Sequence, residues 1–184
     1  ATGEMIAAFC LTEPGAGSDA ASVRATAVEH DDHFLLNGTK IWITNGGIAD
    51  FFTVFAKSGQ ADARSKLSAF IVTRDMAGVT TGAHEDKMGI RASSTTTVYF
   101  EDVKVPKANL LGPLHGGFKV AMNVLNSGRS GLGGGSVGAM KQLIADTSTY
   151  ATERKQFGEP ISNYGLIKQK IGHMVVDCYA AEAA

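Results

Sequence analysis

The sequence predicts an α+β fold in which an antiparallel β-barrel or sandwich is followed by two long antiparallel helices. Up to about residue 110, short apolar runs alternate with turn residues at the spacing of about 8–12 residues that is typical of sandwiches and barrels. After Pro113, apolar residues recur at helical spacing instead. Because 44 % of its 184 residues are apolar, the chain is able to bury a core.

Several stretches of the first part predict strands. Val23–Val28 alternates in polarity, and an Asn-Gly pair within Phe34–Ile43 predicts a hairpin turn. A Glu-Asp pair after Phe100 predicts a turn between two further strands, and the polar stretch Ser58–Lys66 predicts a mobile loop. The remaining predicted strands are Phe51–Ala56, Leu67–Val72, Thr95–Phe100 and Val103–Val105.

Two helices are predicted in the second part. The first includes Phe118 and the apolar residues that follow it at helical spacing, and the second runs over Tyr164–Ala184. The break at Gly158–Pro160 separates them. Two amphipathic helices leave an apolar stripe without a partner, so the sequence predicts a segment of a larger polypeptide, with a β domain at 1–112 and a helical domain at 113–184.

Composition argues against several function classes. The net charge is −1 and the 17 basic residues are scattered, which argues against a nucleic-acid-binding face. No apolar run approaches the roughly 18–20 residues of a membrane span, and no Cys/His cluster has metal-ligand spacing. Cys10 and Cys178 lie far apart in apolar segments, which is typical of reduced, buried thiols in an intracellular protein.

The strongest functional signal lies in residues 8–19. An apolar strand runs directly into a Pro/Gly turn that contains Thr12 and Ser18. Gly15 and Gly17 allow backbone angles closed to other residues and turn N–H groups toward one point, which suits an anion such as a cofactor pyrophosphate. An ordinary strand-to-turn cap is the alternative interpretation.

The only tryptophan of the chain, Trp42, lies in a second informative segment. In a strand, alternation places Trp42 and Thr44 on the same face, as two contacts to one flat ring require. Burial in the core is the alternative for a lone tryptophan. With the glycine turn, the pair predicts a site for a flat, phosphorylated cofactor, while Glu13 and Asp19 are predicted to shape the turn rather than to perform acid–base chemistry.

Five segments in the same order resemble the acyl-CoA dehydrogenase family of flavoenzymes. One of these segments, Gly117–Met122, and two further stretches, Asn126–Arg129 and Tyr164–Ile167, are similar to the very-long-chain branch. The resemblance implies the central β domain of the family and the first two helices of a four-helix bundle, which would therefore be incomplete. The five segments are Phe9–Asp19, Trp42–Gly46, Phe100–Pro106, Gly117–Met122 and Glu153–Gly158.

The resemblance implies an FAD-dependent enzyme of fatty acid β-oxidation that converts a long-chain acyl-CoA to the trans-2-enoyl-CoA. Electrons would pass to an electron-transfer flavoprotein, and the protein would form a homodimer or a dimer of dimers. The implied location is the bacterial cytoplasm or the mitochondrial matrix, with association to a membrane surface left open. An acyl-CoA oxidase and a non-catalytic assembly relative are the alternatives.

Individual roles in the β domain follow from the same resemblance. It implies that Thr12 contacts the flavin ring, that Ser18 holds the pyrophosphate and also lies near the acyl-CoA, and that Trp42 and Thr44 contact the ring near its hydride-accepting atom. The remaining implied cofactor-lining residues are Phe9, Leu11, Gly17 and Ile43.

The helical part contributes further implied contacts. Arg154, Gln156 and Phe157 resemble the segment that reaches the FAD of a neighbouring subunit, where the forked, permanently charged guanidinium of arginine suits a pyrophosphate. A helix-terminal arginine that interacts with the helix dipole is the alternative. Asn126 and Arg129 match positions near the thioester and pantetheine of the acyl-CoA, with a solvated helix face as the alternative.

The catalytic base is not among the predicted residues. Most members of the family place the glutamate that removes the α-proton in the second half of the bundle, and a minority place it at the position of Gly128. The resemblance therefore implies that the base lies outside these 184 residues and that the 184-residue chain alone has no dehydrogenase activity.

A glycine cluster interrupts the first predicted helix. Each mid-helix glycine costs about 1 kcal/mol relative to alanine, so a plain helix would not favour such a cluster. Our hypothesis is that the missing side chains leave room for a long acyl chain, and close helix–helix contact is the alternative. The cluster consists of Gly131, Gly133, Gly134 and Gly135.

Overall fold

The computed structural model describes residues 2–58 and 67–184, and it confirms the α+β class, because a β-sheet is followed by two long helices. The chain divides into two compact units, Ala1–Asn123 and Val124–Ala184, called the sheet unit and the helical unit below. Most of the loop predicted at Ser58–Lys66 lies outside the described residues, and Ser58 itself ends a strand.

Eight strands form the sheet. In order they are β1 (Ala7–Cys10), β2 (Thr26–Glu29), β3 (His33–Thr44), β4 (Phe51–Ser58), β5 (Leu67–Thr73), β6 (Val79–His84), β7 (Thr95–Pro106) and β8 (Leu110–Leu111). Their spatial order is β6-β7-β3-β2-β4-β5-β8, and β1 pairs with β4. The pairs β1–β4 and β2–β4 are parallel and the others antiparallel, so the sheet is mixed. Between the described strands the sheet does not close into a barrel, and a sandwich is compatible with it.

Aromatic contacts show that the sheet folds over its own apolar face. The rings of Phe34 on β3 and Phe70 on β5 are 5.0 Å apart, although β2 and β4 lie between their strands. In a flat sheet these strands would be about 14 Å apart, since neighbouring strands are about 4.8 Å apart. Phe52 and Phe100 make a second contact of this kind, with ring centroids at 6.3 Å. These phenylalanines lie in a single core between the two halves of the sheet.

The hairpin predicted at Asn37-Gly38 is wrong. Strand β3 continues through both residues, and the hairpin connects β2 to β3 through the turn before His33 instead. Gly38 has a φ of 152°, and a Cβ atom there would lie 2.5 Å from the Cβ of Ala25. The glycine is therefore explained by close packing against Ala25 rather than by a turn.

The turn predicted at Glu101-Asp102 is also wrong. Strand β7 runs without interruption from Thr95 to Pro106, and these two residues form a β-bulge opposite Asn37. Asp102 has a φ of 50°, its N–H donates to Asn37 Oδ1 at 2.8 Å, and Asn37 Nδ2 donates to its carboxylate at 3.0 Å. The Asn37-Gly38 and Glu101-Asp102 pairs, which both predicted turns, thus meet at one β-bulge in the continuous pairing of β3 with β7.

The second part of the chain forms two helices, as predicted. Helix α1 (Gly117–Glu153) and helix α2 (Gly165–Ala183) are separated by a small hairpin of β9 (Lys155–Gln156) and β10 (Glu159–Pro160). Within the helical unit, Lys141 of α1 pairs with Glu182 near the end of α2, as expected for antiparallel helices. Neither described helix is both long and apolar enough to span a membrane. Cys10 and Cys178 are free and buried, as predicted.

Candidate functional site

The glycine turn that follows β1 presents exposed backbone N–H groups that no described residue accepts. Glu13 and Ala16 exchange two backbone hydrogen bonds of 3.0 and 3.1 Å, which close the turn. No described residue accepts a hydrogen bond from the N–H groups of Gly15, Gly17 or Ser18, which all lie in exposed positions. Such a group of exposed backbone donors suits an anionic ligand.

The predicted structural role of Glu13 is confirmed. Its carboxylate is 6 % exposed and accepts hydrogen bonds from the N–H groups of Arg24 and Ala25 and from Lys40 Nζ, the last at 2.7 Å. Lys40 also donates to the carbonyl of Leu11 at 3.1 Å. Burial lowers the pKa of Lys40 from its ordinary value, and the neighbouring carboxylate opposes that shift. Asp19 accepts a hydrogen bond from the Ser22 hydroxyl at the other end of the turn.

A β-bulge turns Trp42 out of the sheet. Between Lys40 and Ile43, two residues of β3 face one residue of β7. Consequently Lys40 and Ile43 are both buried although they are three positions apart, while Trp42, with a φ of 56°, is 64 % exposed. Without the extra residue, Trp42 would continue the inward face of Lys40, since β side chains alternate. Thr44 is exposed as well, so the core alternative for Trp42 is wrong.

The turn and the bulged strand are neighbours. The N–H of Ile41 donates to the carbonyl of Thr12 at 2.9 Å, directly before Trp42. The half-buried Thr12 and the exposed Trp42 therefore belong to one surface region. We call this region, from Thr12 to Ser18 and from Trp42 to Thr44, the turn–bulge site.

The loop after Thr44 is held by residues that sequence reasoning missed. Ser94 accepts from the N–H of Asn45 at 2.8 Å through its carbonyl and from the N–H of Gly47 at 3.2 Å through its hydroxyl. Arg74 donates from Nη2 to the carbonyl of Gly46 at 2.6 Å and from Nε to that of Ala49. Arg74 and Ser94 belong to no motif, so no sequence signal could have indicated them.

Three of the predicted cofactor residues present little side chain to solvent. Leu11 is 7 % and Ile43 2 % exposed, so any contact they make outside the core has to come from their backbone. Phe9 is half-buried and packs on Phe55, with ring centroids 4.9 Å apart. The side chains of these residues therefore belong mainly to the core and not to the exposed surface of the site.

In the helical unit, the hairpin of β9 and β10 presents the predicted segment to solvent. Phe157 and Gly158 have φ values of 53° and 90°, the positive pair typical of a type I′ turn. Phe157 is 96 % exposed, and the neighbouring Arg154 and Gln156 are exposed too. The backbone is fixed by a bond of 2.7 Å from the Tyr164 hydroxyl to the Gln156 carbonyl.

The other predicted residues of the helical unit lie on α1. Arg129 Nη1 donates to Asn126 Oδ1 at 3.0 Å, one helical turn away, and both residues are exposed. A Cβ atom on any glycine of the predicted cluster would meet nothing within 4 Å, so no described helix packs closely there. Gly133 and Gly134 line an open cavity of about 720 Å³ that Ala181 and Glu182 of α2 also border.

The fold matches solved structures of acyl-CoA dehydrogenases. The chain superimposes on butyryl-CoA dehydrogenase from Megasphaera elsdenii with a TM-score of 0.90 and 41 % identity, over 97 % of this chain and 47 % of that one. It superimposes on the acyl-CoA dehydrogenase from Bacillus anthracis, solved in complex with FAD, with a TM-score of 0.85 and 47 % identity, over 95 % of this chain and 30 % of that one.

Sequence comparison gives the same class. Residues 8–103 match the family model of the acyl-CoA dehydrogenase middle domain, and residues 115–184 match that of the C-terminal domain. The chain therefore belongs to the acyl-CoA dehydrogenase family, as the sequence predicted.

The curated relatives at high identity include proteins of the very-long-chain branch. The chain is 52 % identical to the mitochondrial very long-chain specific acyl-CoA dehydrogenase of Bos taurus, over all of this chain and 29 % of that protein. It is 47 % identical to a probable acyl-CoA dehydrogenase of Bacillus subtilis, over all of this chain and 31 % of that protein. The chain thus spans less than a third of the length of these relatives.

Proposed function

We propose that this chain forms the flavin site and part of the substrate site of an FAD-dependent dehydrogenase that oxidises long-chain acyl-CoA to trans-2-enoyl-CoA. The observation that carries the proposal is the turn–bulge site, in which a turn with exposed backbone N–H groups is hydrogen-bonded through Thr12 to the strand that bears the exposed Trp42. Family membership and the FAD complex of the Bacillus anthracis relative support it.

The residues of the turn–bulge site fit FAD. The free N–H groups of Gly15, Gly17 and Ser18 match the oxygens of a pyrophosphate, and the exposed face of Trp42 matches a flat ring. The hydroxyls of Thr12 and Thr44 would donate to polar atoms of that ring. When bound, FAD would accept the hydride from the β-carbon of the substrate.

No acidic residue next to the turn–bulge site is proposed as the base. Glu13 is buried and already accepts three hydrogen bonds, one of them from Lys40. Asp50 accepts from the N–H of Ile6 at 2.7 Å, and Asp19 from the Ser22 hydroxyl. Gly128 has no side chain to serve at the minority position. We therefore propose that the base lies outside these residues.

The helical unit is proposed to complete the flavin site of a second copy. Gln156 and Phe157 are exposed on the hairpin of β9 and β10 and Arg154 directly before it, where a guanidinium can reach a pyrophosphate. The protein would then act as a homodimer or as a dimer of dimers. Asn126 and Arg129, with Ser18, are proposed to contact the acyl-CoA.

The location and electron acceptor are proposed from the relatives. The curated relatives are mitochondrial or bacterial, so we place this protein in the mitochondrial matrix or the bacterial cytoplasm. An electron-transfer flavoprotein is the proposed acceptor.

Flavin binding tests the proposal directly. On titration with FAD we expect quenching of the emission of Trp42, the only tryptophan. Replacement Trp42→Ala should raise the dissociation constant, followed by flavin fluorescence, at least about tenfold because a ring contact is lost. Tyr99→Ala, which removes an aromatic side chain that is 38 % exposed on β7, is the control and should change it less than about twofold. A wild-type protein that binds no FAD would contradict the proposal.

Mixing two defective variants tests the shared site. Trp42→Ala and Arg154→Ala homodimers should each bind FAD poorly. After random exchange of subunits, about a quarter of the sites should be intact, because half of the dimers carry one undamaged site. No recovery on mixing would place Arg154 outside the site of a partner copy.

Two assays address turnover and chain length. With a dye as electron acceptor, the chain alone should not oxidise an acyl-CoA, and turnover would contradict the proposed location of the base.

In the whole enzyme, replacing Gly133, Gly134 and Gly135 by leucine should shorten the accepted acyl chain. An unchanged chain-length preference would rule out the acyl-chain hypothesis.

A further inference from the structure

The ion pair between Glu13 and Lys40 connects the two halves of the turn–bulge site. Lys40 is fully buried on β3 and lies two positions before Trp42. Its Nζ atom is 2.7 Å from Glu13 Oε1, and Glu13 follows Thr12 directly. A single charged contact therefore links the strand that presents the indole to the turn that presents the backbone donors.

The carboxylate of Glu13 joins a third segment as well. Its Oε1 also accepts from the N–H of Ala25 at 3.0 Å, and its Oε2 accepts from the N–H of Arg24. Lys40 in turn donates to the carbonyl of Leu11, at the start of the turn. The pair thus hydrogen-bonds backbone groups of two segments, the N–H groups of Arg24 and Ala25 and the carbonyl of Leu11. These bonds leave the turn little freedom to shift along β3.

The position of Lys40 in the ladder adds to its effect. Lys40 is opposite Val98 and is the last residue in register before the bulge that turns Trp42 outward. A fixed Lys40 therefore sets the point at which the backbone of β3 leaves its regular pairing with β7. Only Ile41 separates Lys40 from Trp42. If Lys40 moved, the direction of the indole would therefore change with it.

Stability alone does not account for a buried pair of this kind. Replacing a buried ion pair by apolar residues of similar volume is often neutral or stabilising, because desolvation offsets the attraction between the charges. Two buried apolar residues adjoin the pair, since the Cys10 thiol lies near Lys40 and the Ala25 N–H donates to Glu13. An apolar pair would fill this space, but it would not fix the carboxylate and ammonium to named backbone groups.

We propose that Glu13 and Lys40 are positioning residues that hold the glycine turn at a fixed place against the strand bearing Trp42 and Thr44. The inference rests on the proposed function in that these two parts are taken to bind one flavin. The fixed geometry itself is a property of the chain without any ligand, so it is open to a separate measurement.

The first test needs no variant. The amide of Ile41 reports the contact between turn and strand, since it donates to Thr12, and the amides of Arg24 and Ala25 report the contacts of Glu13. In native-state hydrogen exchange of the purified protein, the three protection factors should agree within about tenfold, because one opening event exposes them all. Protection factors that differ by more than about a hundredfold would overturn the proposal.

The second test replaces the pair. In the double variant Glu13→Gln/Lys40→Met, no charge is left buried without a partner, so we expect it to fold. Its urea midpoint should be lower than that of the wild type, because one backbone N–H that Glu13 accepts and the Leu11 carbonyl lose their partners. The exchange of the Ile41 amide should rise at least about tenfold. The dissociation constant for FAD, measured through flavin fluorescence, should rise by a similar factor.

An exposed ion pair of the same residue types serves as the matched control. Lys107 and Glu29 lie 2.9 Å apart with side chains 42 % and 47 % exposed. The variant Glu29→Gln/Lys107→Met should leave Ile41 exchange and the FAD dissociation constant within about twofold of the wild type. If the Glu13/Lys40 variant behaves like this control, the pair is replaceable core filling and the proposal is wrong.

The outcomes separate this inference from the proposed function. If the wild type binds no FAD, the proposed function fails, while the exchange of the Ile41 amide still decides whether the pair positions the turn. If the double variant does not fold, the agreement of the three wild-type protection factors decides it. If FAD binds equally to both proteins and Ile41 stays protected, only the positioning role is overturned.

Discussion

The sheet unit and the helical unit differ in how well they cover their apolar residues. In the sheet unit, phenylalanines such as Phe52 and Phe70 are fully buried between the two halves of the folded sheet. In the helical unit, the only buried apolar residues among those described are Ala151 and Cys178, whereas Leu166 is 73 % exposed. Burial within the described chain thus accounts for the alternating apolar residues of the strands. It does not account for the apolar residues at helical spacing.

The comparison also separates two uses of glycine. In the sheet unit, Gly78 has a φ of 90° and approaches the carbonyl of Glu101 so closely that a Cβ atom would lie 2.0 Å from it. In the helical unit, Gly133 lies inside a regular helix with nothing within 4 Å. The first glycine is required by its own fold, whereas nothing in the described chain requires the second.

The largest expected difference between the units concerns large-to-small substitutions. Phe70→Ala should lower the free energy of unfolding by about 3–5 kcal/mol, because it leaves a cavity and removes the ring contact with Phe34. Leu143→Ala, at a side chain that is 58 % exposed, should lower it by less than about 0.5 kcal/mol. Urea unfolding measures both. A loss above about 2 kcal/mol at Leu143 would show that the folded protein buries this residue.

The second expected effect concerns pH. Burial raises the pKa of the Cys10 thiol from 9.0 to about 12, and Lys40 opposes that shift. Between those values the unfolded chain loses the proton and the folded protein keeps it. The contribution of Cys10 to the free energy of unfolding should therefore be fully present below pH 9. It should fall by about 1.4 kcal/mol for each pH unit as the pH rises toward 12.

Two variants isolate this titration. Cys10→Ala should remove that part of the alkaline slope, measured by urea unfolding at several pH values. Cys178→Ala keeps Cys10 and should retain the slope. Equal slopes in the two variants would show that the burial of Cys10 does not control the alkaline stability.

The two glycines should respond with opposite signs. Gly78→Ala should destabilise the protein by about 1–2 kcal/mol or more, since alanine is strained at this φ and would contact the Glu101 carbonyl. Gly133→Ala should stabilise the protein by about 0.5–1 kcal/mol, because alanine is the better helix former and has open space there. Thermal unfolding should reveal the difference. Destabilisation at Gly133 would indicate a close neighbour that the described residues do not supply.

The smallest expected effect compares two side-chain hydrogen bonds. Asn37→Ala removes both bonds to Asp102 across the β3–β7 bulge and should cost about 1 kcal/mol. Gln142→Ala removes a bond of 2.8 Å to Asp146 on the surface of α1, and should cost less than about 0.5 kcal/mol. Chemical unfolding of both variants provides the comparison. Equal costs would mean that the bulge does not depend on Asn37.

Local patterns predicted most of the elements but not their connections. The apolar runs from Phe51 and from Leu67 became β4 and β5, and the break near Gly158 separates α1 from α2. The Asn37-Gly38 and Glu101-Asp102 pairs misled the prediction, because turn residues also suit bulges and close backbone contacts. Which of these occurs depends on the facing strand.

The candidate site was predicted to the same extent. The glycine turn and Trp42 were found from residue type and spacing alone, since glycine and tryptophan have few substitutes for close backbone approach and a broad ring surface. Their supports, Lys40, Arg74 and Ser94, were missed. Each of them acts on backbone groups that are distant in sequence.

By itself the sequence determined the fold class, the family and the two segments of the turn–bulge site, because these depend on local periodicity and on residue types with few substitutes. Only the tertiary structure decided that the sheet folds over itself, that a bulge turns Trp42 outward and that Lys40 is buried against Glu13. The physical reason is that strand register and buried charge pairs depend on residues far apart in the chain, which meet only when the sheet has formed.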